Sequence, residues 1–173
     1  MVSQGKRRLF LRLGLAVALA LAVSPATASA EVFAVGGGTV ASDPGFDLSG
    51  SHFAFSAHCK AADCSPSGSA TGSGYAVVRH PVFGKAQGHV CAFQALGGAS
   101  FGFSAASFVI VVEGGSGPLA STPFLAFIAF DTGPPSGPVQ DALGLLPEEG
   151  CDPIGAPGGF GAPLVQGNIV VKQ

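Results

Sequence analysis

The chain has 173 residues, including 27 glycines and 13 prolines, with 10% charged residues and a mean hydropathy of +0.50. Residues 31–173 contain four cations and ten acids, a formal net charge of −6, which disfavours nucleic acid and anionic membrane surfaces as partners. Many apolar residues, many turn-forming residues and no tryptophan favour a β-rich domain over a helical bundle.

Residues 1–30 have the pattern of a cleaved signal peptide. A basic start is followed by an apolar run of 11 residues, Leu13–Val23, and by the cleavage motif Ala28-Ser29-Ala30. The apolar run is shorter than the about 20 residues that a membrane-spanning helix needs. We therefore expect no integral membrane segment in the mature chain. The motif RRLFLR resembles a twin-arginine signal, and an ordinary Sec signal fits equally well.

The mature chain, residues 31–173, is long enough for one domain with its own core. We expect this single disulfide-stabilised β-domain to lie outside the cytoplasm, either secreted or in the cell envelope.

Alternating apolar and polar residues predict strands over residues 32–41, 51–58 and 75–80. In the second of these strands Phe53, Phe55 and Ala57 share one face, which we expect to enter the core. Residues 64–74 are rich in Ser and Gly and predict a loop.

Three further strands, over residues 88–96, 99–105 and 107–114, have glycine near their junctions and predict an antiparallel meander. The stretch FLAFIAF, residues 124–130, is apolar on both faces, as is typical of a strand covered on both sides. The Gly- and Pro-rich residues 131–164 contain one short helical turn at VQDALGLL, and GNIVVK at residues 167–172 predicts the last strand. The pattern predicts an all-β fold, an antiparallel β-sandwich or small β-barrel of about eight strands.

The four cysteines, Cys59, Cys64, Cys91 and Cys151, predict two disulfides, for which three connectivities exist. Cys59 and Cys64 are close enough for a local bridge. Cys91 and Cys151 would then pair across about 60 residues. Such a bridge lowers the conformational entropy of the unfolded chain and stabilises the fold by about 4 kcal/mol. The competing interpretation is a zinc site formed by the C-x4-C cysteines together with histidine.

Asp131 is a candidate catalytic residue because an apolar strand followed by Asp131-Thr132-Gly133 resembles the start of an aspartic protease loop. That chemistry needs two carboxylates that share a proton, and the chain has one Asp-Thr-Gly. Such a hydrolase would therefore have to be a homodimer. Pro134 and Pro135 also replace the small residues that usually follow Asp-Thr-Gly in aspartic proteases. The alternative is a turn in which Asp131 accepts hydrogen bonds from nearby amides.

The four histidines, His52, His58, His80 and His89, are the candidate metal ligands. His52 and His58 share a strand face but lie about 20 Å apart, so they cannot bind one metal together. His80 or His89, on neighbouring strands, can approach either of them. The alternative is exposed histidines on the polar faces of strands. We expect no metal and no other cofactor, and the partner is unknown.

Several motifs in this order resemble a group of small uncharacterised secreted proteins of high-GC Gram-positive bacteria. The motifs are VGGGTV, GHVCAFQALGG, DTGPPSGPVQDALGLL, GCDP and GNIVVK. The resemblance implies a β-sandwich or barrel-like domain without an assigned activity. It also implies that Cys91 and Cys151 are the pair shared by the group and that the Cys59 and Cys64 pair is particular to this chain.

Thr132 and Lys172 depart from the group, where Asn and His stand instead. Because Asn is common at the position of Thr132, the resemblance favours a turn there. The leading hypothesis is an exported, non-enzymatic binding or surface module. The alternatives are a homodimeric hydrolase using Asp131 and a histidine-based metal-binding protein.

Overall fold

A computed structural model describes residues 31–41, 48–59, 70–96, 103–134, 140–152 and 161–173. The predicted signal peptide, residues 1–30, lies outside the described residues. Within these ranges, eight strands and one short helix follow each other in sequence. They are β1 (Phe33–Val40), β2 (His52–Cys59), β3 (Ala70–His80), β4 (Gly84–Leu96), β5 (Ser104–Ser116), α1 (Gly117–Ala120), β6 (Phe124–Asp131), β7 (Ala142–Glu148) and β8 (Ala162–Lys172).

The eight strands form one closed antiparallel barrel in sequence order, and β8 completes the ring by pairing with β1. The predicted all-β class is confirmed, and of the two predicted architectures the chain adopts the barrel. Alternation within the strands explains this arrangement. In β2, Phe53, Phe55 and Ala57 are buried as predicted, while the residues between them are exposed.

The interior of the barrel is filled by phenylalanine side chains. The rings of Phe108 and Phe127 stack with centroids 5.0 Å apart, and Phe55 lies 4.9 Å from Phe108. Phe93 is fully buried in the same cluster. Eight-stranded barrels are just wide enough for side chains to fill them. The interior is therefore a packed core.

β1 and β8 approach each other closely where the ring closes. A Cβ atom on Gly36 would lie 2.9 Å from Cγ1 of Ile169 and 2.9 Å from Cζ of Phe55. Real Cβ atoms essentially never make so short a contact, so a side chain at this position would force its neighbours to move. The glycine-rich sequence of β1 is what allows β8 to pack against it here.

A second apolar layer lies on the outer face of the barrel at β4, β5 and β6. β6 is buried on both faces from Leu125 to Ala129, as its uninterrupted apolar sequence predicts. Ala126 packs outside the barrel against Ala92 and Val109, next to Cys151. This side of the barrel is therefore covered, whereas the outer residues of β2 are open to solvent.

The predicted and observed strands do not coincide everywhere, although both number about eight. β3 begins at Ala70, so the second half of the predicted Ser/Gly loop is strand. Ala70 is buried and pairs with Phe93, and this pairing outweighs the loop-forming composition. Residues 104–114 belong to the single strand β5, so the predicted break at Ala106 was wrong. Residues 99–102, the first part of the strand predicted over residues 99–105, lie outside the described residues.

The helical turn predicted at VQDALGLL was also wrong, because most of this stretch is strand β7. β7 forms seven register pairs with β6, and its Leu143 and Leu145 are buried. Strand pairing and burial override the local preference. The helix that the described residues contain is α1, which no sequence pattern predicted. No helix in the described part of the chain is long and apolar enough to cross a membrane.

Candidate functional site

Asp131, the predicted catalytic candidate, is the last residue of β6. Its Oδ1 accepts a hydrogen bond from the backbone N–H of Gly133 at 3.0 Å. Its Oδ2 accepts one from the backbone N–H of Val171 in β8, also at 3.0 Å. Asp131 therefore joins the end of β6 to the C-terminal strand.

A second aspartate, Asp141, lies just before β7 and is only 7% exposed. Its Oδ1 accepts hydrogen bonds from the backbone N–H of Thr132 at 3.0 Å and from the Thr132 hydroxyl at 3.2 Å. Its Oδ2 accepts one from the backbone N–H of Ile169 at 2.7 Å. Asp141 thus binds both the turn that follows β6 and the strand β8.

These two carboxylates replace part of a missing strand ladder. β7 and β8 share only two register pairs, Ala142 with Pro163 and Leu143 with Ala162. The N–H groups of Ile169 and Val171 lie beyond those pairs, and buried N–H groups require an acceptor. Carboxylate oxygens are strong acceptors for them. We call Asp131 and Asp141 together the carboxylate latch.

The geometry of the latch suits backbone binding. All four carboxylate oxygens accept hydrogen bonds from the chain itself. On β8, the amide that donates to Asp141 and the amide that donates to Asp131 are two residues, or about 7 Å, apart along the strand. The paired carboxylates of an aspartic protease instead share one proton across a short contact. The latch gives Asp131 a clear structural role at the closure of the barrel.

Three of the four histidines lie on the outer face of the barrel, each with a different partner. His52 is hydrogen-bonded to the Thr39 hydroxyl at 3.0 Å. His58 pairs with Glu31 at 2.9 Å, and His89 pairs with Glu113 at 2.8 Å. The described residues contain no group of three or more His, Cys, Asp or Glu side chains that could hold a metal ion.

The fourth histidine, His80, is buried at the end of β3, with 3% of its surface exposed. Its Nδ1 accepts hydrogen bonds from the backbone N–H groups of Val82 and Phe83, both at 3.0 Å. Its ring also stacks on the Phe83 ring, with centroids 4.5 Å apart. Because Nδ1 accepts both bonds, it carries no proton, and the ring shapes the turn that follows.

The predicted disulfide between Cys91 and Cys151 is present, with Cα atoms 6.0 Å apart. Cys91 is skipped in the register between β4 and β5, because Val90 pairs with Ile110 and Ala92 with Val109. It is thus the extra residue of a β-bulge, and such bulges re-aim side chains. Cys59 is disulfide-bonded as well. Its predicted partner, Cys64, lies outside the described residues.

The turn between β3 and β4 presents two large apolar side chains to solvent. Val82 is 71% exposed and Phe83 is 41% exposed. We call residues Pro81, Val82 and Phe83 the tip. Gly84, with φ of +87°, ends the turn, and a Cβ there would collide with the carbonyl oxygen of Ser116. The tip is therefore a three-residue turn closed by an obligatory glycine.

α1 supports the tip from the neighbouring β5–β6 connection. The backbone N–H of Leu119 donates to the carbonyl oxygen of Phe83 at 3.1 Å. The turn is thus held by His80 from the barrel side and by Leu119 from the helix side. Its shape is fixed by hydrogen bonds within the chain.

Two cations lie directly beside the tip. Arg79 in β3 and Lys85 in β4 are opposite each other in the register, and His52 in β2 is the next residue in the same row. Among the described residues the two ion pairs involve other side chains, and neither Arg79 nor Lys85 has an acidic partner. Like charges directly opposite each other on paired strands destabilise the pairing.

Neither the sequence patterns nor comparison with known proteins identified the tip or Asp141. The chain matches no protein-family model, no curated protein and no solved structure. The predicted strand over residues 75–80 ends just before the tip, and two large apolar residues in the short connection that follows were a usable signal. Asp141 lies in a stretch that predicted a helical turn, and its partners are 9 and 28 residues away. No local signal identified it.

Proposed function

We propose that the chain is an exported, non-enzymatic binding module that docks to its partner through the tip. The observation that carries this proposal is the exposure of Val82 and Phe83 on a turn whose backbone is fixed by His80. Single exposed apolar residues are ordinary in proteins, but adjacent ones on a projecting turn are typical of interaction sites.

The fixed shape of the tip supports the proposal in energetic terms. A flexible loop loses conformational entropy when it binds, about 0.5 to 1.5 kcal/mol for each side chain that is immobilised. His80, Gly84 and Leu119 hold the tip in one shape before any partner arrives. The entropy lost on binding is correspondingly small, so even a small contact can bind.

The rest of the molecule supports a binding role outside the cytoplasm. The interior is filled by side chains such as Phe108 and Phe127, so the surface carries the function. The Cys91–Cys151 disulfide suits an oxidising compartment, which agrees with the export signal expected at residues 1–30. In this role the module is secreted or held in the envelope.

Site-specific photo-crosslinking in the host that exports the protein tests the proposal. A benzophenone side chain replaces Val82 in one variant and Val165 in β8 in a matched control. These two valines are similarly exposed, at 71% and 64%. We expect a defined protein adduct from position 82 and none from position 165. Excess wild-type chain should compete for the adduct, whereas the Val82→Ser/Phe83→Ser variant should not.

Two results would overturn the proposal. One is the absence of any adduct from position 82 in the exported, disulfide-bonded chain. The other is an adduct that the double serine variant competes for as well as the wild type does. Circular dichroism of that variant shows whether the barrel is intact, which is expected because both side chains are largely outside the core.

A further inference from the structure

The charges beside the tip are unusual for this chain. The mature part has only four cations, against ten acids, and two of the four are Arg79 and Lys85. Of the two strands that flank this hairpin, β2 has no acidic residue, and Glu113 in β5 is already paired with His89. Among the residues that the structure describes, the two cations beside the tip therefore have no acidic partner.

Their placement works against the stability of the hairpin that carries the tip. Arg79 and Lys85 are opposite each other in the register pair next to His80 and Gly84, the pair that closes the turn. Two like charges at this position repel each other in the free protein. A partner that brings negative charge to this position relieves the repulsion and gains from both cations.

We infer that the partner is a protein with an apolar pocket that receives Val82 and Phe83 and with carboxylates around the pocket that face Arg79 and Lys85. This inference rests on the proposed function and names the chemistry of the partner. Aromatic and arginine side chains are enriched at protein interfaces, and Phe83 and Arg79 supply one of each. Opposite charges at the rim guide the encounter, while the apolar tip provides the affinity.

An anionic membrane is the other occupant with matching chemistry, and the described charges disfavour it. Glu148 is the last residue of β7 and is followed by Glu149 and Asp152, and the antiparallel order puts that connection at the same end of the barrel as the tip. A flat anionic surface would meet these acids as well as the cations, whereas a pocket that encloses only the tip avoids them.

The experiment uses the crosslinker at position 82 together with charge variants of the full chain. In Arg79→Gln/Lys85→Gln the long side chains remain but both charges are removed. Lys172→Gln in β8 removes a charge at the other end of the barrel and is the matched control. We expect the adduct yield to fall about ten-fold in the double variant and to stay unchanged in the control.

Salt provides the second readout. The wild-type adduct should weaken between about 50 mM and about 500 mM salt, while the residual adduct of the double variant should not. Equal yields in the wild type and the double variant would overturn the inference and leave the proposed function standing. Absence of a wild-type adduct would overturn both. The crosslinked partner peptide is expected to be acidic, and a basic one would contradict the inference.

Vesicles test the membrane directly. The wild-type chain is sedimented with phosphatidylcholine vesicles that contain about 30% phosphatidylglycerol. We expect no binding above that seen with phosphatidylcholine alone. Binding that is lost in both Val82→Ser/Phe83→Ser and Arg79→Gln/Lys85→Gln would identify a lipid surface as the occupant and overturn the inference of a protein partner.

Discussion

The junction of β4 with β5 and the junction of β7 with β8 close the same barrel in different ways. β4 and β5 share eleven register pairs, and their outer face is covered beside the Cys91–Cys151 disulfide. β7 and β8 share two register pairs, and two further amides of β8 donate to the carboxylate latch, in which Asp131 ends β6 and Asp141 precedes β7. The first junction is held by hydrogen bonds between backbone groups, and the second depends on two side chains.

This difference predicts how the two junctions respond to substitution. A backbone ladder remains when one side chain is changed, because the N–H and C=O groups belong to every residue. The latch loses its acceptors when one aspartate is removed, and the amides of β8 are left without partners. The β7–β8 junction should therefore be the more sensitive one to single substitutions.

The largest expected change in the free energy of unfolding comes from the side of the barrel covered at β4, β5 and β6. Replacing Cys91 and Cys151 together by alanine should lower the free energy of unfolding by about 4 kcal/mol, because the bridge closes a loop of 60 residues. Urea denaturation of the non-reduced protein measures the change. A loss below about 1 kcal/mol would show that the β4–β5 side does not depend on its disulfide.

The next effect tests the latch. Asp141→Ala should cost about 3 kcal/mol, because it leaves the amides of Thr132 and Ile169 without their acceptor. Asp141→Asn is the matched control and should cost less, since its carbonyl oxygen still accepts on one side. Hydrogen exchange should accelerate at the Ile169 amide and stay slow at Val109 in β5. Equal acceleration at both amides would refute a local role for the latch.

Asp131→Asn should have a smaller effect, about 1 to 2 kcal/mol, because Asp131 is only partly buried and accepts two hydrogen bonds rather than three. The Val171 amide should exchange faster, and thermal unfolding should begin at β8. If the Asp131 and Asp141 variants together cost no more than one of them, the two aspartates act as one unit.

The smallest effect concerns the tip, which lies outside both junctions. His80→Ala should cost about 1 kcal/mol by removing the acceptor for the amides of Val82 and Phe83. His80→Asn should restore most of that loss, because its side-chain oxygen can accept from the same two amides. Faster hydrogen exchange at Val82 and Phe83 in the alanine variant alone is the expected result. Identical exchange in both variants would contradict it.

The sequence predicted those parts of the fold that depend on alternation within one strand. β2 and β6 were found in place because Phe53 and Phe55 alternate with small or polar residues and FLAFIAF is apolar throughout. β7 was missed because Ala142-Leu143-Gly144 has no strand preference of its own and is a strand only through pairing with β6. Strand content that depends on a neighbour leaves no local pattern.

The site was less predictable than the fold for a related reason. A turn role for Asp131 follows from its neighbour Gly133, but its bond to Val171 spans 40 residues. The Cys91 and Cys151 pairing could be predicted because cysteines are few and pair with each other. Aspartates bind any backbone amide, so the sequence does not indicate which amides Asp131 and Asp141 hold.

The pairing of β1 with β8 has a consequence for the order of folding. Phe33 pairs with Lys172, so the ring closes between segments about 140 residues apart, and such distant contacts form slowly. Until β8 arrives, β1 has an open edge, and open edges invite pairing with other chains. Gly36, Gly37 and Gly38 offer little side-chain surface to such a competitor. The glycines that admit β8 thus also leave the pairing register of β1 weakly specified until the ring closes.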